Sequence, residues 1–190
     1  MASIETQSKI AILSKALVLL GEKPLDSLSD NRYGATVGSN LFELIYEAEL
    51  QSNRWRFACA KTSLSRLNAT PLNEWQYAYQ LPSAMLLPIG VYPKASYEIY
   101  ADRIYTDQSS VELDYMFKPD VSACPAYFTL LLTYACAKDM IKPITESDNG
   151  VQVMTAKYNV QRARAMFADA QGRPNSMMID SPFTDIRNGR

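Results

Sequence analysis

The strongest constraint on the fold is that the hydrophobic period changes twice along the chain. In residues 4–20, Ile10, Leu13, Leu17 and Leu20 recur at spacings of three and four, the pattern of an amphipathic helix. Gly21 then offers a left-handed cap before Pro24. After the turn-rich residues 24–31, Val37, Leu41, Leu44, Ile45 and Ala48 mark a second helix ending near Asn53, with Asp30 as its predicted N-cap. Gly34 and Gly38 make a GxxxG spacing on that helix, which predicts close approach of a neighbouring element.

From Arg56 the period becomes two. Trp75, Tyr77, Tyr79 and Leu81 alternate with polar or small residues, as do Val111, Leu113, Tyr115 and Phe117, and alternation is the signature of a half-buried strand. Residues 97–106, the turn 107–110 and the Val111 segment predict a short antiparallel meander. Pro82, Pro88 and Pro93 restrict their surroundings to edges and loops.

Helical spacing returns after Pro119. Ser122 is the predicted cap of a third helix with Pro125 in its first turn, and Phe128, Leu131, Leu132, Ala135 and Met140 form its apolar face to about Ile141. Residues 143–150 predict a connector. Val151, Met154, Tyr158, Ala165 and Ala168 then place a fourth helix over residues 150–170, stopped by Gly172 and Pro174. Residues 173–190 have no period and predict an extended tail. The expected fold is therefore α+β: a four-helix bundle from residues 1–55 and 120–172, a small antiparallel β subdomain inserted at 56–119, and the tail 173–190.

Composition narrows the chemistry. The 190 residues contain no histidine, so a Ser-His-Asp triad, a Cys-His dyad and a histidine-ligated zinc site are all excluded. The seven glycines form neither a GxGxxG nor a GxxxxGK[ST] phosphate cradle. Cys59, Cys124 and Cys136 are odd in number and far apart, which predicts reduced, buried thiols. Nineteen basic residues stand against twenty acidic ones, a net charge of -1, and no segment has the basic excess of a dedicated nucleic-acid binder. The first residues lack the pattern of a signal peptide and the longest apolar stretch is too short for a membrane span. No cofactor, metal or membrane contact is expected.

The residues that carry chemistry elsewhere have structural readings here. Glu43, Glu47 and Glu49 on the second helix supply the acid and base of an alternative reading, a tail-associated polysaccharide hydrolase. Lys157, Arg162 and Arg164 predict a solvated or subunit-contacting face. Trp55, Phe57 and Trp75 predict aromatic packing between the β subdomain and the helices. No long apolar stripe is expected to remain once the four helices pair, so the free protein is predicted to be a monomer.

The segments 19–28 (LLGEKPLDSL), 41–50 and 51–57 (QSNRWRF) resemble the opening of the tubular tail protein A family. These are the head-to-tail adaptors, or connectors, of tailed bacteriophages. Residues 75–82 (WQYAYQLP), 104–107 (IYTD), 111–115 (VELDY) and the closing pair of helices are similar to the rest of that family, in the same order. The resemblance implies a non-enzymatic virion protein made in the host bacterial cytoplasm and placed at the head-tail junction. It implies a homo-oligomeric ring, usually a dodecamer, beneath the portal protein, with the next tail component (a nozzle or tail tube protein) below and double-stranded DNA passing through the lumen. The C-terminal extension would reach the portal, which makes Met177, Met178, Ile179, Phe183 and Arg187 the expected portal-binding residues.

Overall fold

The computed structural model describes residues 4–28, 30–69, 71 and 74–172. The expected portal-binding residues Met177, Met178, Ile179, Phe183 and Arg187 lie outside these described residues. The fold is mixed helix and sheet. Helices α1 (Ile4–Leu19) and α2 (Tyr33–Gln51) come first. They are followed by β1 (Cys59–Ser63), β2 (Tyr77–Gln80), β3 (Met85–Tyr92), β4 (Tyr97–Tyr100), β5 (Arg103–Thr106) and β6 (Glu112–Phe117). Helices α3 (Ala126–Thr145) and α4 (Asp148–Gln171) close the described chain.

Helix α3 is the hub of the helical half. Phe128, Leu131, Leu132, Ala135, Cys136, Ala137 and Met140 are wholly buried on it, and α1, α2 and α4 all pack against it. The GxxxG spacing does what the sequence predicts. A Cβ on Gly34 would lie 2.9 Å from Leu17 Cδ2, and one on Gly38 would lie 3.1 Å from both Leu13 Cδ2 and Met140 Cε. Both are closer than ordinary van der Waals contact, so the two glycines let α1 and α3 side chains seat against the α2 backbone.

Three helix boundaries differ from the sequence reading. Arg32, not Asp30, is the N-cap of α2, and no side chain caps that end. The Asp30 carboxylate instead accepts from the Arg32 backbone N–H (3.2 Å) and Nε (2.7 Å), while the guanidinium also donates to the carbonyls of Lys23 and Pro24. Ser122 does not cap α3. It lies in a 3-10 turn, Val121–Ala123, and Cys124 before Pro125 is extended at ψ 137°, as the ring of a following proline requires. Pro143 does not end α3, which runs on to a left-handed Glu146. The last-turn carbonyls of Ile141 and Lys142 are taken by Thr145 Oγ1 (2.9 Å) and the Glu146 N–H (3.0 Å).

The strands form two three-stranded antiparallel sheets, ordered β1-β6-β3 and β2-β5-β4. The expected meander is thus half right. Strands β4 and β5 make the hairpin, but β6 crosses to the other sheet and lies between β1 and β3. Alternation in a sequence assigns faces to a strand and leaves its partner open. Strand β3 carries Pro88 at a register shift on a sheet edge, where a missing N–H costs no ladder bond. The sheets share a second apolar cluster of Tyr79, Leu81, Val91, Ile104, Val111 and Leu113.

Two short crossings join helices to sheets. In the first, Trp55 is wholly buried, its Nε1–H donating to the Glu49 carbonyl at 2.8 Å. Its ring meets Phe128 edge-on at 5.2 Å between centroids, and Phe57 lies 4.9 Å from Phe128. Trp75 takes no part in this junction. It stands at the β2 end of the other sheet, where its Nε1–H donates to Glu98 Oε2 at 3.0 Å. In the second crossing, the Tyr46 hydroxyl donates to the Pro119 carbonyl at 2.7 Å.

Buried Asp169, near the end of α4, completes the first crossing by accepting from the Arg56 N–H (3.2 and 3.3 Å to its two oxygens) and the Tyr127 hydroxyl (2.8 Å). Asp169→Ala strips both donors of their acceptor. It is expected to lower stability by about 1–3 kcal/mol, measured by urea denaturation.

Candidate interaction surface

The polar groups that a catalytic reading would use are engaged in structural bonds. Lys118 Nζ bridges Glu43 Oε2 (2.9 Å) and Glu47 Oε1 (2.7 Å), and Lys9 pairs with the other Glu43 oxygen. Burial pulls the Glu43 pKa upward, but hydrogen bonds from Lys9 and Lys118 outweigh it and hold the carboxyl below its ordinary value. A general acid at neutral pH needs the opposite shift.

Glu49 does not join that pair. It is buried on another face of α2, where Oε1 accepts the Tyr158 hydroxyl at 2.7 Å and Oε2 has no partner. Burial raises its pKa, against the Tyr158 hydrogen bond and the charges of Lys138 and Arg162. Among the described residues no cluster of three or more Cys, Asp or Glu side chains is placed to hold a metal ion. Nor is any helix among them long and apolar enough to cross a membrane.

The cysteines are unpaired. Burial pushes the Cys136 thiol up to about 12 and also raises those of Cys59 and Cys124. Because the thiolate is the reactive form, an alkylating reagent at neutral pH is expected to leave Cys136 unmodified in the native protein. Complete modification should appear only in denaturant, as read by mass spectrometry.

The aromatic side chains that a base-stacking platform would use are engaged in internal contacts. Trp55 and Tyr79 are buried, and Tyr77 lies under the Arg66 guanidinium at 4.0 Å from the ring centroid.

A feature without an internal role lies on α4. Its inner face follows the sequence reading, with Met154 and Ala165 buried in the helical core and Val151 and Tyr158 packed against it. The outer face carries a second apolar row. Val153 is 46% exposed, Val160 53% and Phe167 67%, and Ala156, Ala163 and Ala170 between them are exposed as well. The six positions alternate in steps of three and four over eighteen residues, a heptad seam on the solvent side. Lys157 and Arg164, each four residues after a valine of the seam, flank it.

Beside the seam a shallow groove of about 300 Å³ is lined by Tyr134, Ala156, Lys157, Val160, Gln161 and Arg164. Of the three predicted basic residues, Arg162 instead turns toward the end of α2 and donates to the Ser52 carbonyl at 3.4 Å.

This corrects the expectation that no apolar stripe remains once the helices pair. The signal was the seven-residue spacing of Val153, Val160 and Phe167, masked because the inner row on the same helix satisfies the 3.6-residue period by itself. Three side chains of this size in water, with alanines between them, form a contiguous surface of the kind that marks a contact site.

No protein-family model matches the chain, and no curated protein matches it.

Proposed function

We propose that the protein is a structural head-to-tail adaptor of a tailed bacteriophage, joining the portal protein to the next tail component in a homo-oligomeric ring through which DNA passes. The reading begins from the ordered sequence resemblance to the tubular tail protein A family. The observation in the molecule that supports it best is the solvent-facing seam of α4, which leads directly into residues 173–190. Glu43, Glu47, Glu49, Trp55 and Tyr79 are spent on internal contacts, while the apolar row of α4 stands free for a protein partner. In this reading the helices make a four-helix bundle with residues 56–119 as an inserted β subdomain, and α3 as the hub of the other three helices supports that arrangement.

The near-neutral charge suits a conduit. Release of counterions from DNA phosphates drives binding to a basic wall, so a lumen without basic excess lets the duplex slide. The tail residues Met177, Met178, Ile179, Phe183 and Arg187 are the proposed portal contacts. Ending the chain at Gly172 is expected to leave the circular dichroism and melting curve of the body unchanged while abolishing docking onto portal-bearing heads. If the shortened protein still docks and still retains DNA in the head, the tail assignment is wrong. If the full chain fails to dock, the adaptor reading itself falls.

A further inference from the structure

We propose that the outer seam of α4 docks on a second copy of the chain, against the solvent face of its β2-β5-β4 sheet. The contact gives neighbours in the proposed ring their two surfaces, and it rests on the adaptor reading for its place in a ring. The receiving face follows from strand register. Tyr79 and Ile104, paired across β2 and β5, belong to the apolar cluster of the sheets. Side chains alternate along a strand, so Tyr105 with its β4 partner Glu98, and Arg103 with its β4 partner Tyr100, lie on the opposite face. Tyr100 is 54% exposed, and its ring meets Tyr105 edge-on at 5.9 Å between centroids.

This face is aromatic and acidic. Glu98 accepts from Trp75 Nε1–H at 3.0 Å and is hydrogen-bonded to the Tyr100 hydroxyl as well. Both partners are neutral, and neither Glu98 nor exposed Glu74 makes an ion pair among the described residues. Arg103, the one basic residue of these three strands, pairs with Asp102 at 3.7 Å. The seam of α4 has the complementary character. Val153, Val160 and Phe167 are apolar, and Lys157 and Arg164 beside them make no ion pair among the described residues. A cation set over tyrosine or tryptophan rings next to a carboxylate is held by both.

Neither surface complements itself. Two seams laid antiparallel would bring the basic flanks together, and two sheet faces would bring the carboxylates together, with like charges opposed in each case. The contact is therefore heterologous, the kind that propagates from copy to copy and closes into a ring when the rotation allows. The seam covers the helical core and the sheet face covers the second apolar cluster, so one copy has a separate surface for each of two neighbours. The seam is about 21 Å long from Val153 to Phe167 and about 10 Å wide, short of the roughly 800 Å² per partner of a standard stable interface. One contact is weak, and a closed ring holds many together.

The test is cysteine crosslinking between two full-length variants mixed at several hundred micromolar. Ala163→Cys, exposed on the seam, and Arg103→Cys, exposed on the sheet face, are expected to form an interchain disulfide several-fold faster under mild oxidation than Ala163→Cys with Ala11→Cys, exposed on α1. Peptide mapping identifies the products. Adding Lys157→Glu and Arg164→Glu to the seam chain should slow the crosslink several-fold, and Glu74→Lys with Glu98→Lys in the partner should restore it. Circular dichroism checks that each variant folds, and the seam-side reversal decides alone if Glu98→Lys does not. Equal rates for the two mixtures, or a faster crosslink between two Ala163→Cys chains, would overturn the proposal. Portal-bearing heads separate the two readings. Heads that bind the protein without a 163–103 crosslink would overturn this contact and leave the adaptor reading standing. A crosslink in solution from a protein that never docks would support the contact and remove the adaptor reading.

Discussion

Replacing Trp55 with alanine is expected to cost about 3–5 kcal/mol, the range for truncating a fully buried large aromatic. For a protein of this size that is a fall in Tm of roughly 6 to 20 °C. Trp55 touches the rings of Phe57, Tyr127 and Phe128, with Phe128 closest at 5.2 Å, so its removal opens a cavity among aromatics that α3 and the first crossing hold in place. Trp55→Phe separates the two contributions. It keeps most of the ring contact and loses the Nε1 donor to the Glu49 carbonyl, a loss of about 1 kcal/mol because Ser52 Oγ still donates to that oxygen at 2.9 Å. Calorimetry of the two variants checks both figures, and a Trp55→Ala protein that melts like the parent would mean that the junction is not held by this ring.

The second large effect belongs to Tyr158→Phe, and it depends on pH. Glu49 is 7% exposed, and the Tyr158 hydroxyl is the donor to its Oε1. Removing that hydroxyl leaves a buried carboxylate poorly solvated, at a cost of about 1–3 kcal/mol at neutral pH. Burial raises the Glu49 pKa in the folded protein while the tyrosine hydrogen bond lowers it, so the variant's pKa lies higher still. A group with a raised folded-state pKa binds its proton more tightly when folded. Its stabilising contribution is full below the unfolded pKa and is lost as pH rises through the folded one. The variant should therefore be most destabilised at neutral pH and recover toward the parent as pH falls through the raised Glu49 values, a recovery complete by the ordinary carboxylate range, as urea midpoints across that interval would record. A pH-independent difference would indicate that Glu49 is not the group involved.

The helices were legible because each has a buried face dense enough to impose the 3.6-residue period. Phe128, Leu131, Leu132 and Ala135 on α3 leave no other reading. Their ends were less legible, because Asp30 and Ser122 are good capping residues whose neighbours decide otherwise. Asp30 is held by Arg32, and Ser122 stands three residues before Pro125, which keeps Cys124 extended. Strand pairing was hidden for a different reason. The turn at 107–110 is as short as a hairpin turn, yet the Tyr79 hydroxyl donates to the Gln108 carbonyl (2.7 Å) and Asp107 Oδ1 accepts from the Gln76 N–H (3.0 Å). Those bonds tie the turn to β2, and β6 leaves for the other sheet. On α4 one helix carries two apolar rows, and a search for a single face finds the inner one.

Lys118 has a consequence of a mechanical kind. It sits just after β6 and grips Glu43 and Glu47 on α2, while Tyr46 on the same helix holds the Pro119 carbonyl. Trp55 and Phe57 hold the other crossing against α3. The chain thus enters and leaves the sheets through two anchored strands, and a pull on the sheets loads both together. Each exposed ion pair contributes at most about 1 kcal/mol at equilibrium, a small mark on a melting curve beside that of Trp55. Under tension the same contacts act in parallel with the aromatic anchor, so rupture force is the quantity in which Lys118 counts most.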